Sequence, residues 1–552
     1  MLCLLVLATA GMACESEPQP ATVPAPTLAP MQDPDRLTAS MITPLVTQDF
    51  ESDVSGWNAV GDGDTVSEVS WHTDGQLQWS TQIQPGKMAA ISRQWPELAQ
   101  ADGLTLHLTS VDRSALLLLI MQEADGSGYG VVMPLDGGES VNFTIGYESF
   151  GLQADSKDEN GQLDPDQIVS IGMLDFSGFI SAPSPNRVLI DEVVLWEGDL
   201  DTADIGCKNA EAPATSDAFR VGVDANYVPQ GDRADRGYWV LEDRVDPLEL
   251  FAANGANAFR LRLWVGDKGE SKLDYATDLA QRAQDAGLRP YLVLFLSETW
   301  SDVNKQPAPA DWAGLTVEER AEAIRDYARG VTQHFIDIGV DLDFYEIGNE
   351  IDYGIAGVFA DTNDPRDPAS LMLSTWPDEA QLIQAAVQGI KGADSDARIM
   401  LHIANSWSPN FSLAFFKAMT KLGVDYDLVG LSYYPSAFGP PHVNQFCKTL
   451  DRLSTEIGKT IVIAEVAYPA EVPSGGMFAD WRHMIPGYPL TNEGQAWWVR
   501  DLLKGMWARG DILGVYFFGP GFWFSGELWG PFALFDGQGR ARPAIASFDF
   551  MQ

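Results

Sequence analysis

A (β/α)8 TIM barrel of the α/β class, preceded by an all-β jelly-roll sandwich, is the fold that this sequence predicts. Three observations predict it. From Phe219 onward, apolar runs of five to seven residues alternate with amphipathic stretches, and eight such runs fit into about 330 residues. Two of the runs lead into a glutamate, Glu350 and Glu465, where barrel strands present reactive groups. Ahead of them, between 45 and 199, short alternating runs are split by Asp-Gly turns, and no long helical period intervenes.

The elements follow in chain order. Residues 1–14 read as a signal segment: Met1 to Ala13 is apolar, lacks Lys and Arg, and is too short to span a bilayer. Gly11-Met12-Ala13 sets small residues before Cys14, which resembles a bacterial lipoprotein cleavage site with Cys14 lipidated. The chain is therefore expected to be exported, as a cell-surface lipoprotein or an extracellular bacterial protein that meets a membrane only through a lipid anchor. Residues 15–44, rich in Pro, Ala and Thr, read as an extended tether. Runs at 76–80, 104–108, 115–121, 130–133 and 188–196 read as strands of the 45–199 sandwich. Its opening (Phe50-Glu51-Ser52, Gly56-Trp57) and closing (Leu189-Ile190-Asp191-Glu192-Val193) resemble carbohydrate-binding sandwich modules. Trp57, Trp71 and Trp79 are its candidate sugar platforms, with burial in the core as the alternative for each.

Residues 200–217 are polar and irregular, a linker. The barrel occupies 218–552, with strands at 220–224, 258–265, 290–296, 344–347, 398–403, 428–432, 460–465 and 514–518. Amphipathic helices are expected at 275–286, 317–338, 378–392, 413–422 and 492–508. A doubly wound sheet is the rival arrangement, but no GxGxxG turn is present.

At 552 residues the chain is too long for one core. Its 78 acidic and 35 basic residues give a net charge of −43, which excludes nucleic acid and anionic membrane as partners. That balance suits a monomer acting on neutral or cationic material. Cleavage and lipidation would leave Cys207 and Cys447, one disulfide or two buried thiols. No CxxC or HExxH spacing occurs, so no metal ligands are assigned and no cofactor is required.

Two carboxylates over one cleft at the strand ends are the equipment for glycoside hydrolysis. Glu350 and Glu465 close the fourth and seventh runs. Asn349, beside Glu350, can hydrogen-bond a sugar 2-hydroxyl. Arg260 and Arg262 share one strand face by two-residue alternation, and one of them, in the first place Arg260, is expected to pair with Glu465. His402 ends the fifth run, where it would touch Glu350 or a sugar hydroxyl, or lie in the core. Sugar rings stack on tryptophan, and Trp264, Trp300, Trp407 and Trp523 fall in βα loops.

These residues sit in an ordered series of motifs. They are Gly222-Val223-Asp224, Phe259-Arg260-Leu261-Arg262-Leu263-Trp264 and Leu296-Ser297-Glu298-Thr299-Trp300-Ser301-Asp302. Then come Glu346-Ile347-Gly348-Asn349-Glu350-Ile351, Ile399-Met400-Leu401-His402-Ile403-Ala404-Asn405, Gly430-Leu431-Ser432-Tyr433-Tyr434-Pro435, Ile463-Ala464-Glu465-Val466-Ala467-Tyr468-Pro469 and Ala533-Leu534-Phe535-Asp536. The series resembles family 53 glycoside hydrolases, the arabinogalactan endo-β-1,4-galactanases of clan A, over about 219–552. The resemblance implies retention, with Glu350 as acid/base, Glu465 as nucleophile and Tyr434 donating a hydrogen bond to it. Asp224 and Asn405 of these motifs join the loop tryptophans Trp264, Trp300, Trp407 and Trp523 as candidate substrate contacts. Bacterial relatives can hold a structural calcium in late loops; acidic residues abound here without EF-hand-like spacing, so calcium stays open. The chain departs from the family at Val293 and Phe295, where an Asp and a His are usual, and at Phe518-Gly519, where a Trp-Glu pair is usual.

The expected activity is retaining endo-hydrolysis of β-1,4-galactan from plant or algal polysaccharide. The alternatives are another clan A endo-hydrolase, such as a β-mannanase or β-glucanase, and a non-catalytic surface glycan-binding lipoprotein.

Overall fold

The computed structural model describes residues 26–29, 41–60, 65–72, 74–153, 156–158, 160–201, 203–207 and 218–551. The signal segment with Cys14, most of the tether and most of the 200–217 linker lie outside them. Among the described residues no helix is long and apolar enough to cross a membrane.

The N-terminal sandwich has two antiparallel sheets of six strands. One runs in the order Val66–His72, Gln76–Gln82, Asn186–Asp199, Gly103–Ser110, Ser140–Gly146, with Met41–Gln48 also paired to Asn186–Asp199. The other runs Gly151–Leu152, Gly128–Leu135, Ala115–Glu123, Ile168–Asp175, Ala89–Gln94, Asn58–Val60. Alternation sends Leu104, Leu106 and Leu108 inward to meet Leu117, Leu119 and Met121 from the opposite sheet. Gly75 and Gly126 of the Asp-Gly turns take the positive φ that these tight connections need. Met41–Gln48 begins inside the segment read as tether, because its backbone completes the edge of Asn186–Asp199 and Val46 packs on the core. Trp57 and Trp79 are buried in that core and offer no platform, whereas Trp71 is 45% exposed.

Eight parallel strands close the second domain. We label them β1 (Arg220–Asp224), β2 (Ala258–Leu263), β3 (Arg289–Leu294), β4 (Tyr345–Ile347), β5 (Ile399–Ile403), β6 (Leu428–Tyr433), β7 (Thr460–Val466) and β8 (Ile512–Phe518). β8 pairs with β1, so no edge is left open. Tyr291, Val293, Phe344, Met400, Val462, Leu513 and Tyr516 fill the interior as an apolar plug. The expected helices are present, and helix Val317–Asp337 starts on a capping box between Thr316 and Glu319. A further helix, Pro440–Glu456, follows β6. Its Pro440-Pro441 start reads as a break in sequence, yet proline is tolerated in a first helical turn.

The sandwich is docked against the barrel. Asp136 accepts from Ser408 Oγ and, at 2.6 Å, from Asn410 N–H, at the start of helix Pro409–Lys421. Arg366 Nη1 donates to Ile180 O at 2.9 Å, and Gln445 of helix Pro440–Glu456 donates to Pro134 O at 3.3 Å. His483, in the loop after β7, contacts Ser149 O at 3.3 Å. The sandwich therefore braces the loops after β4 through β7, the sector that carries both Glu350 and Glu465. The chain between the domains is pinned as well: Ile205 is buried in the barrel core, and Cys207 is disulfide-bonded to Cys447 on helix Pro440–Glu456. Backbones touch there too, since a Cβ on Gly505 would fall 2.1 Å from Gly206 Cα.

The bridge spans 240 residues. Closing so long a loop removes much denatured-state entropy, so Cys447→Ser is expected to cost about 2–5 kcal/mol. The denaturant midpoint of the whole chain should fall accordingly. An unchanged midpoint would mean that the bridge does not form or does not constrain the unfolded chain.

Candidate active site

The site lies on the C-terminal mouth of the barrel, above the apolar plug. Glu350 stands three residues past β4. Gly348 and Glu350 both take positive φ, 76° and 49°, and the turn swings the Glu350 side chain over the mouth. A glutamate in the left-handed region is uncommon and costs of order 1 kcal/mol, which the surrounding contacts hold in place. Ser432 Oγ donates to Glu350 Oε1 at 2.6 Å, and Val303 N–H lies 3.4 Å from Oε2. Burial and the neighbouring charge of Glu465 push the Glu350 carboxyl up to about 8.

Glu465 sits within β7, in register with Ser432 of β6. Tyr434 OH donates to Glu465 Oε2 at 2.7 Å, and Arg260 Nη1 lies 2.9 Å from Oε1. Burial and the same glutamate hold the Tyr434 phenol well above its ordinary range, so it remains a donor.

Arg260 is the hub. Fully buried, it also reaches Asp224 and Glu346 at 2.8 Å each and Asn349 Oδ1 at 2.6 Å. Glu346 accepts from Tyr291 OH at 3.0 Å and meets His402 Nδ1 at 2.8 Å. Burial opposes its charge, but Arg260 and His402 overcome that and hold it at about 2. Burial likewise opposes charge on His402, and the Glu346 carboxylate outweighs it, raising the imidazole. His402 Nε2 is 2.9 Å from Ser432 Oγ. A hydrogen-bonded chain thus runs Glu346–His402–Ser432–Glu350. Asp224, Glu346 and Glu465 each have the Arg260 guanidinium within 3 Å. Glu350 is the carboxyl left without a counter-charge, which is why it keeps its proton.

The structure brings Glu350, Glu465, Asn349, Arg260 and Tyr434 together, with Arg260 the arginine on Glu465 as first expected and His402 in the core, and it corrects the expectations for Asp224 and Trp523. Arg262 does not touch Glu465; it pairs with Asp224 at 2.6 Å and lies over the rings of Tyr227, Trp300 and Phe518. His402 reaches Glu350 only through Ser432 and meets no open cleft. Both oxygens of buried Asp224 are taken, Oδ1 by Arg262 and by Asn226 Nδ2 at 2.7 Å and Oδ2 by both arginines, so none is left for substrate. Two buried guanidinium groups require such an anion. Trp523 packs in the core of the barrel domain with its ring against Gly539, and offers no platform. Asn349 spends its oxygen on Arg260 and one amide hydrogen on Ser301 O, which leaves one amide hydrogen to donate.

Trp264 and Trp300 are half-buried over the plug, each in contact with Phe295. Trp300 Nε1 donates to Asp302 at 2.9 Å, and its ring meets Phe518 edge-on. Trp407 and Asn405 stand together past β5, with the indole N–H 2.9 Å from Asn405 Oδ1. The departures from the family thus act by making the floor apolar: Val293 and Phe295 join the plug, and Phe518 joins an aromatic wall with Trp529 and Phe532.

Sequence reasoning passed over three participants. Ser432 and Glu346 lie within the quoted motifs, where strand alternation alone could have aimed them inward. Trp481 lies 4.9 Å from Tyr434, centroid to centroid, and carries no such signal. It belongs to the long irregular loop after β7, and only the fold brings it to the site.

Removing Ser432 tests the chain. Its hydrogen bond favours the ionised form of Glu350, so Ser432→Ala should raise that carboxyl further. The basic limb of the kcat/KM profile should then move to higher pH. A limb that stays put, or moves lower, would show that Ser432 does not donate to the carboxylate.

A (β/α)8 barrel whose mouth holds one proton-retaining carboxyl beside one ion-paired carboxylate, ringed by tryptophans, defines a glycoside hydrolase. The chain belongs to Glycosyl hydrolase family 53, which matches residues 220–548. It is 26% identical over 342 residues to the arabinogalactan endo-beta-1,4-galactanase of Humicola insolens, covering 59% of this chain and 98% of that protein. It is similar in structure to the Ignisphaera aggregans GH53 catalytic domain, with a TM-score of 0.54, 26% identity, and coverage of 61% of this chain and 98% of that one. The sandwich resembles the family 11 carbohydrate-binding module of Clostridium thermocellum, at 17% identity and a TM-score of 0.24, over 30% of this chain and 99% of that one.

Proposed function

We propose that the protein is a retaining endo-glycosidase that cleaves β-1,4-galactan of the arabinogalactan type. The opposed environments of Glu350 and Glu465 carry this reading. Glu465, held by Arg260 and Tyr434, attacks the anomeric carbon as the Glu350 proton passes to the departing glycosidic oxygen. A glycosyl ester on Glu465 results. Glu350, now ionised, takes a proton from water; the hydroxide adds to the anomeric carbon and Glu465 leaves as carboxylate, with net retention. Asn349 offers its remaining amide hydrogen to the 2-hydroxyl of the reacting sugar.

The galactan substrate is supported by family membership and by relatives named as galactanases. A neutral polymer suits a chain of net charge −43. Export is supported by the Cys207–Cys447 disulfide, a bond that persists in oxidising compartments. The test is hydrolysis of de-arabinosylated β-1,4-galactan by the whole chain, with product sizing and the anomer read by NMR before mutarotation. Short β-anomeric galacto-oligosaccharides are expected. Products from mannan or β-glucan instead would move the substrate and keep the mechanism. The apolar floor formed by Val293, Phe295 and Phe518 is the observation that favours this second outcome.

A further inference from the structure

The seam between the domains is not fully closed. A cavity of about 500 Å³ lies between the sandwich and the loops after β4 and β5. Trp407, Asn405 and Arg366 line its barrel side, and Arg113 with the segment 180–184 lines its sandwich side. Its barrel wall is joined to the loop that carries Glu350. The N–H groups of Ala404 and Asn405 both donate to Asp352, two residues past Glu350, at 2.8 Å. One step outward from Glu350 therefore reaches Trp407.

The lining selects a class of ligand. Trp407 is half-buried and its N–H is held by Asn405, so the ring is fixed; among the described residues no other ring stacks on it. A fixed indole with an uncovered face suits the C–H face of a sugar ring. The cations of the cavity are already engaged. Arg113 is paired with buried Asp175 at 2.7 Å. Arg366 spends its donors on Ala360 O and Ile180 O and stacks on Tyr353, 4.2 Å from the ring centroid. Neither is placed to recruit an anion. The cavity's carboxylates are engaged too, Asp112 with Arg187 and Asp367 as the cap of helix Pro368–Ser374, and hydroxyls and amides of Ser181, Ser184, Asn405 and Asn410 complete the polar surface. Both walls are tied together by Asp136 on Ser408 and Asn410, so the cavity is built, not transient.

We infer that this cavity is a distal subsite shared by both domains, taking neutral glycosyl residues of the same polymer chain whose scissile bond lies at Glu350 and Glu465. The sandwich then acts as one wall of the substrate cleft. The inference rests on the reading of the protein as an endo-acting hydrolase of neutral glycan.

The test uses the whole chain and galacto-oligosaccharides of three to eight units. Ser181→Trp fills the cavity from the sandwich side, and Trp407→Ala removes the platform from the barrel side. Each is expected to lower the ratio of kcat/KM for the octamer to that for the trimer by tenfold or more. A ratio within twofold of wild type in both variants would overturn the subsite. If the wild type cleaves no galacto-oligosaccharide but cleaves another neutral glycan, the substrate reading fails, and the same ratio taken on that glycan decides the subsite. A Glu350→Gln background, titrated calorimetrically with the octamer, gives an activity-free reading: tenfold weaker binding in Ser181→Trp supports the site, and equal binding overturns it. Absence of cleavage and binding with every neutral glycan would overturn both.

Discussion

Glu465→Gln is expected to abolish turnover on polymer and on activated aryl glycosides alike, by on the order of 10⁴-fold or more. The amide keeps the shape of the side chain and can still accept from Tyr434, so the fold should survive. It lacks the negative oxygen that attacks the anomeric carbon, and an activated leaving group cannot compensate for a missing nucleophile. A second consequence separates this reading from a structural one. The charge of Glu465 is one of the two main causes that hold the Glu350 carboxyl near 8. Neutralising Glu465 should therefore lower the Glu350 titration, visible by carbon NMR of labelled glutamate. Wild-type turnover in the variant would sink the assignment. An unmoved Glu350 titration would separate the two groups electrostatically and weaken the division of labour between them.

How far such a site can be read from sequence depends on which physical rule fixes each residue. Barrel strands are buried on both faces, so they stand out as apolar runs, and the observed strands fall within two residues of the expected ones. Glu350 and Glu465 follow because strand ends define the mouth. Alternation puts Arg260 and Arg262 on one face of β2, and only the fold decides that Arg260 is the one on Glu465. Asp224 does not follow: it also closes a strand, but sequence does not tell that two guanidinium groups converge on it and seal it beneath the mouth. Trp523 failed for a similar reason, since a tryptophan in a loop reads as exposed until the loop folds back on the core. The seam was out of reach except where counting cysteines left Cys207 and Cys447 as one possible pair. Asp136 and Asn410 lie more than two hundred positions apart, and neither short-range periodicity nor a motif encodes their pairing. The linker composition does not say how the two domains sit, and the contacts show a sandwich fixed against the reactive sector of the barrel.

Glu350→Gln should separate chemistry from stability in a way that only a proton donor would. On polymer, whose leaving oxygen needs protonation, kcat/KM is expected to fall 10²- to 10⁴-fold. On an aryl glycoside with a strongly acidic leaving group, formation of the glycosyl ester should be far less affected, because that leaving group needs little protonation. In the wild type, the basic limb of kcat/KM should lie near pH 8, where the carboxyl of the free enzyme loses its proton. The same shift has a cost in stability, with a definite sign. The folded value, about 8, stands above the ordinary value of 4.5, so the unfolded chain releases this proton first as pH rises. Wild-type stability should therefore drop between about pH 4.5 and pH 8 relative to Glu350→Gln, and the gap should level off above that window. Denaturant midpoints of the two proteins at pH 4, 6 and 8 measure it. A gap that grows with pH, together with a polymer-selective loss of rate, identifies Glu350 as the buried acid. Equal losses on both substrates with a pH-independent gap would reduce Glu350 to a structural carboxyl and return the proton-transfer role to the open.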